Sequence, residues 1–299
     1  MITVFGSINM DLVAIGKRLP KPGETISGDS FATAAGGKGA NQALAAQRAG
    51  AQTAMAGAVG DDSFATDALV LLRVAGADLT QVKTVAGATG TAVILIGEGG
   101  ENMISVIPGA NASVSAEDAK ATVAKMQAND TLLLQFEVPA DAIEAALNEA
   151  KAKRITTVIN TAPLTEDAKR LAPLATIVVA NETEFELLIG ADRLSNSERE
   201  AKLLEEHQNS GQTIIVTLGA DGVIAARNGK IYRAAGLKIE PVDTVGAGDT
   251  FCGYLAASLD AGMDFEQALT RAAAAGSLAC TKSGAQPSIP LAVDVDASI

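Results

Sequence analysis

The 299-residue chain has no tryptophan, 2 tyrosines and 7 phenylalanines. So few rings offer no platform on which single-stranded nucleic acid could stack. Positive charge is scarce too: 23 Lys and Arg stand against 35 Asp and Glu, a formal net charge of −12. That balance argues against nucleic acid or an anionic membrane surface as a partner. A phosphorylated ligand would have to be held by local backbone dipoles and metal ions. The 2 cysteines, Cys252 and Cys280, show neither metal nor redox spacing and are expected to be buried structural thiols. The single histidine, His207, sits in a charged helical stretch and is expected to be solvated. No apolar run reaches the ~18 residues of a membrane span. The first six residues lack the basic start of a signal peptide and read as a buried strand. A cytoplasmic protein is the expectation. Hydrophobic residues make up 48% of the chain, enough for a large core without aromatic bulk.

Residues 2–6 form a short apolar run that ends in the polar tip Ser7-Ile-Asn9-Met-Asp11. In open α/β sheets ligands sit beyond the carboxyl ends of the strands. Asn9 and Asp11, two apart, point to one side of an extended segment. They suit either a grip on ligand hydroxyls or an Asx-type turn. A turn at residues 19–24 follows, then a glycine-rich entry at 36–41 into an Ala-rich helix. Residues 52–59 read as a strand and 62–74 as one amphipathic helix. Two β runs, 90–96 and 102–107, are joined by a hairpin turn. With residues 12–36 they would make a small β-sheet lid, spanning about 12–36 and 90–108. From residue 115 onward helices and strands alternate. That alternation predicts an α/β fold with a mostly parallel central sheet flanked by helices on both faces. The whole chain, 1–299, reads as one domain with the lid inserted.

The stretch Asp243-Thr-Val-Gly-Ala-Gly-Asp249-Thr-Phe251 is a glycine-rich turn running into a helix. Unpaired N–H groups at the start of a helix make a ready anion site, with phosphate the usual guest. Asp249 at that junction is either a helix cap or a proton acceptor beside a phosphate. Polar groups at other strand ends and helix starts could converge on the same cleft. Together they suggest phosphoryl transfer to an alcohol, which needs a base, donors for the developing charge and a divalent metal. Asp249 fits the base, and the N–H groups of Val245, Gly246, Ala247 and Gly248 fit an anion hole. Asn181 and Glu184 fit a water-mediated Mg²⁺ or phosphate contact, or a capping box. The segment around Lys38 is no P-loop, because Ala32 and Gly39 occupy the positions that need Gly and Ser or Thr. No Gly-x-Gly-x-x-Gly follows the first strand, so a dinucleotide-dependent oxidoreductase is disfavoured.

Six stretches carry a resemblance that covers the chain end to end: Gly6–Asp11, Leu19–Glu24, Gly36–Asn41, Asn181–Glu184, Asp243–Phe251 and Lys282–Ser288. Through them the sequence resembles the ribokinase-like carbohydrate kinases. The resemblance implies ATP-dependent phosphorylation of D-ribose at its terminal 5-hydroxyl, with Asp249 as the base. It implies a sugar site from Asn9, Asp11, Gly37, Lys38, Gly39, Ala40, Asn41 and Glu137. Asn181, Glu184, Thr217, Leu218, Gly219, Ala220, Asp221, Gly222 and Gly248 would form the nucleotide side, with Mg²⁺ reaching Glu184 through water. An activating K⁺ would sit in a loop of Asp243, Val245, Ala279, Lys282, Gly284 and Ser288, held largely by backbone carbonyls. A homodimer made through the lids is also implied. One departure is Ala273, where the family commonly places an Asn near the adenine. The competing readings are a sibling kinase for deoxyribose, a ketohexose or a nucleoside, and a non-catalytic sugar or nucleotide sensor.

Overall fold

The computed structural model describes residues 1–299. Strand β1 (Ile2–Phe5) is buried throughout, and its side chains alternate between two layers. Ile2 and Val4 enter one core cluster and Phe5 the other, as the two-residue period of a strand requires. The chain then leaves this sheet. Strands β2 (Asn9–Ile15) and β3 (Ser30–Gly36) pair antiparallel before helix α1 (Lys38–Arg48) and strand β4 (Thr53–Val59). Asn9 and Asp11 therefore belong to the second sheet and not to the tip of β1.

The single helix expected over 62–74 is two short ones, α2 (Phe64–Ala68) and α3 (Val70–Val74). Leu69 breaks them: it turns inward with φ −103° and ψ −2°, its N–H bonding back to Thr66. Strand β5 (Asp78–Thr84) follows as an edge partner of β4. Its mixed polar and apolar residues give no clear strand signal. The hairpin β6 (Gly90–Ile96) and β7 (Asn102–Ile107) completes the second sheet in the order β3-β2-β6-β7. Phe31, Met103, Ile104 and Val106 on this sheet are each at least half exposed.

The remainder alternates: α4 (Ala116–Lys125), β8 (Thr131–Leu134), α5 (Ala140–Lys153), β9 (Thr156–Asn160), α6 (Ala168–Leu171), β10 (Ile177–Asn181), α7 (Glu182–Ile189), α8 (Asn196–Ser210) and β11 (Thr213–Thr217). Strands β12 (Val223–Arg227) and β13 (Lys230–Ala234) return antiparallel, and helices α9 (Ala247–Asp260), α10 (Phe265–Ala279), α11 (Ala285–Ser288) and α12 (Ala292–Asp296) close the chain. The main sheet has nine strands in the order β13-β12-β11-β10-β9-β8-β1-β4-β5, parallel except at β12 and β13. The winding reverses between β1 and β8, so a crevice opens at their carboxyl ends. Helices cover both faces, and no helix is long and apolar enough to cross a membrane.

Helices α1 and α9 lie against each other on one face of the main sheet, and Gly253 permits the approach: a Cβ there would sit 2.5 Å from the Ala45 Cβ and 2.6 Å from the Gln42 carbonyl oxygen. At the far edge of the sheet, His207 is 8% exposed and not solvated. Its Nε2 accepts the Gly229 N–H at 2.8 Å, so the proton sits on Nδ1 and is donated to the Gln212 carbonyl at 2.6 Å. It is a structural clip between α8 and the β12–β13 turn. Cys252 is fully buried as expected, while Cys280 is only partly so; both are free thiols.

Candidate active site

Asp249 lies in the first turn of α9 and is 6% exposed. It does not cap the helix. Gly246, in the left-handed region at φ 78°, is the N-cap, and no side chain makes a capping bond there. Instead both carboxylate oxygens accept amides from α1: Asn41 Nδ2 donates to Oδ2 and Gln42 Nε2 to Oδ1, each at 2.9 Å. Lys38, Asn41 and Gln42 share one face of α1, as their spacing dictates. The start of that helix is fixed in turn by Glu137, whose Oε2 accepts the Lys38 N–H at 3.1 Å and the Ser7 hydroxyl at 2.5 Å.

Of the four N–H groups expected to form the anion hole, two are occupied. Val245 N–H bonds to Asp243 Oδ1 at 3.0 Å and Ala247 N–H to the Thr244 carbonyl at 3.3 Å. Those of Gly246, Gly248 and Asp249 itself have no partner, as the first groups of a helix do not. These three residues line one cleft of about 230 Å³ together with Lys38, Asn160, Asn181, Glu184, Thr217 and Thr244. A Cβ on Gly248 would meet nothing within 4 Å. Protein packing therefore does not demand glycine there; its small size leaves room in the cleft.

On the sugar-expected side, Asp11 lies over Gly36, whose Cβ would fall 2.4 Å from Oδ2. No hydrogen-bond donor reaches its carboxylate. Burial, then the charges of Glu137 and Asp249, push its pKa up to about 7, with Lys38 opposing. Lys38 is held above the ordinary lysine range by Asp249 first, against burial, with Glu137 and Glu184 adding. Asn9 is buried and accepts from Asn111 Nδ2 at 2.7 Å, and Asn111 also clasps both backbone groups of Ile8. Gly39 and Ala40 have spent their N–H groups on Ser7 and, like Gly37, pack against the β1–β2 connection, while Lys38 lines the cleft and Asn41 is turned to Asp249.

On the other side, Asn181 and Glu184 form a complete capping box at the start of α7. Glu184 Oε2 also accepts from Thr161 Oγ1 at 2.9 Å, which leaves Oε1 free at the cleft. A lone carboxylate oxygen suits Mg²⁺ held largely through water and phosphate. Residues Gly219–Asp221 make an exposed 3₁₀ turn at the end of β11. Leu218 and Asp221 face away from the cleft, into a separate cavity beside Arg199. Ala273 is buried within the core.

The loop expected to hold K⁺ is tied together by Asp243, which accepts Val245 N–H at 3.0 Å and Gly284 N–H at 2.9 Å. The carbonyls of Val245, Ala279, Lys282 and Gly284 accept no backbone hydrogen bond. One carboxylate and several unspent carbonyls fit an alkali ion. Ser288 Oγ donates to Ala285, and the Lys282 side chain is exposed. No group of three or more His, Cys, Asp or Glu side chains could hold a metal ion.

Sequence reasoning missed Gln42 and Asn111, both buried, and the hydroxyls of Ser7 and Thr161. Only Gln42 had a signal, lying one residue beyond a motif already singled out.

The pfkB family carbohydrate kinase model matches residues 1–292. Among curated relatives, the ribokinase of Haemophilus influenzae is 37% identical over 290 residues, 97% of this chain and 95% of that protein. The crystal structure of ribokinase from Thermotoga maritima superposes with TM-score 0.88 at 30% identity, covering 99% of this chain and 98% of that one. Arabidopsis thaliana ribokinase complexed with ribose and ATP gives TM-score 0.88 at 29% identity, covering 99% and 97%. From the nine-stranded sheet with its four-stranded companion to these matches along almost its full length, the chain belongs to the pfkB family of carbohydrate kinases.

Proposed function

We propose that this enzyme transfers the γ-phosphoryl group of ATP to the 5-hydroxyl of D-ribose. One observation carries the reading. A buried carboxylate, Asp249, is aimed by two α1 amides and set beside unpaired N–H groups, between the Asp11–Glu137 side and the Asn181–Glu184 side. Support for the substrates comes from similarity to ribokinases, one of them solved with ribose and ATP.

Ribose would be gripped through its hydroxyls by Asn9, Asp11, Asn41 and Glu137. Each Asp249 oxygen has a lone pair beyond the one its amide uses, so one can take the 5-hydroxyl proton as the sugar oxygen attacks the γ-phosphorus. The N–H groups of Gly246, Gly248 and Asp249, with the Lys38 ammonium, face the charge that develops as ADP departs. Glu184 would hold Mg²⁺ through water, and that ion would neutralise phosphate charge. Asp243 and the free carbonyls of its loop would hold K⁺, which would stiffen the turn presenting the N–H groups. Pairing of two copies through the four-stranded sheet suits its exposed apolar side chains, and a cytoplasmic location suits the need for ATP.

The test is a panel of ribose, deoxyribose, a ketohexose and a nucleoside with coupled ADP detection, run with and without K⁺. Ribose with K⁺ should be turned over best; much faster turnover of a nucleoside would overturn the assignment. Asp249→Asn should keep ribose binding by calorimetry and lose turnover by several orders of magnitude. Near-normal turnover would remove Asp249 from the role of base.

A further inference from the structure

Gln42 is fully buried, and it touches Asp249 but neither ligand side of the cleft. Its amide can face only one way, and the reason starts at a backbone group. The Val179 carbonyl in β10 can only accept, so the Asn160 contact with it at 3.3 Å presents Asn160 Nδ2. Asn160 Oδ1 must then point toward Gln42, which meets it with Nε2 at 3.2 Å. The second hydrogen on that nitrogen goes to Asp249 Oδ1 at 2.9 Å. Gln42 Oε1 is left as an acceptor, and Gln135 Nε2 fills it at 2.7 Å.

The Gln42 side chain is thereby fixed by Asp249 in α9, by Gln135 just past the end of β8, and by Asn160 in β9, which β10 orients in turn. We infer that Gln42 is a positioning residue for the phosphoryl-transfer step: it clamps Asp249 as a hydrogen-bond acceptor at one oxygen and leaves the carboxylate one productive orientation toward the sugar hydroxyl. This rests on the reading of Asp249 as the base. Gln42 is too buried to contact sugar or nucleotide, so its effect belongs to the chemical step and not to binding. Replacing it with an apolar group of similar size strips one donor from the carboxylate and leaves it held by Asn41 alone.

The variant is Gln42→Met. Its kcat should fall about 100-fold, the scale of a misplaced reacting group, while KM for both substrates and ribose affinity by calorimetry change less than about threefold. A packing role would instead lower the melting temperature and the active fraction, with kcat per folded enzyme unchanged. Should Gln42→Met fail to fold, Gln135→Met removes the partner of Gln42 Oε1 and should give the same signature with a smaller amplitude. A folded variant with wild-type kcat overturns the inference. Asp249→Asn separates the two claims: if that variant is inactive while the Gln42 and Gln135 variants behave as wild type, only positioning by Gln42 is wrong. If Asp249→Asn retains turnover, the base assignment itself is wrong.

Discussion

Asp11→Asn gives a sharp test of how the sugar side is built, because the wild-type residue carries an unpaid desolvation cost. Its carboxylate is largely but not fully buried over Gly36, receives no hydrogen bond, and shares its surroundings with Glu137 and Asp249. Its pKa rises from an ordinary 3.8 to about 7. The folded chain therefore holds a proton that the unfolded chain releases. The associated stability is complete below about pH 3.8 and is lost as the pH climbs through about 7. A rise of that size corresponds to about 4 kcal/mol in total. Between pH 5 and 8 the loss is about 2 kcal/mol once water in the cleft is allowed for. Asn does not titrate, so Asp11→Asn should gain on the wild type by that amount across the interval. The assay is thermal unfolding of both proteins, without ligand, at half-unit steps from pH 5 to 8. The difference in Tm should widen by roughly 4 °C. Sugar hydroxyls donating to Asp11 would favour the ionised form, so ribose affinity of the wild type should tighten through pH 7 with proton release. A Tm difference that stays flat across the range, together with pH-independent ribose binding, would refute the reasoning.

Two glycines separate room for ligand from room for packing. Gly248→Ala adds a methyl group to open space in the first turn of α9, so the fold should tolerate it or gain up to ~1 kcal/mol. Turnover should nonetheless fall at least tenfold if γ-phosphate occupies that space; an equally active variant would place the phosphate elsewhere. Gly253→Ala behaves oppositely, because its Cβ meets Ala45 at 2.5 Å and the Gln42 carbonyl at 2.6 Å. Forcing α1 away from α9 should cost about 1–3 kcal/mol and reduce kcat by displacing Gln42 and Asn41 from Asp249. An unchanged Tm would mean that this helix contact is softer than its geometry implies.

Local chemistry was legible in the sequence wherever the physics was local. The capping box Asn181–Glu184 follows from a three-residue spacing and is complete in the structure. The glycine-rich turn before α9 announced unpaired N–H groups, although two of the four turned out to be consumed within the turn itself. Alternation of strands and helices carried the main sheet, while β5 and β13 escaped because edge strands are only half buried and have no continuous apolar run. His207 misled for a related reason. Its helix is charged, but the face it occupies packs under the β12–β13 turn, and tertiary contact decides burial over composition.

The amide network illegible to sequence reasoning is the one that gives Asp249 its direction. Gln42, Gln135 and Asn160 lie up to 207 positions from Asp249, and none of the three signals a contact with it from its own sequence neighbourhood. A buried amide costs free energy unless all its polar atoms find partners, so the requirement on Gln42 is set by whichever groups the fold brings to it. Those come from the end of β8, from β9 and from α9, which meet only because the sheet winds outward from β1 in two directions and Gly253 lets α1 settle on α9. The network is left incomplete at two atoms: Gln135 Oε1 and Asn41 Oδ1 are buried without partners. Unspent acceptors around the Asp249 carboxylate sharpen the choice of amide orientation, since flipping Asn41 would turn its oxygen toward Asp249 and set acceptor against acceptor. The carboxylate thus selects the orientation of Asn41, while the Val179 carbonyl selects that of Gln42 through Asn160. Two fixed references, one a backbone group and one the proposed base, hold the cluster from opposite ends, which is why a single donor lost at Gln42 should register in the chemistry before it registers in binding.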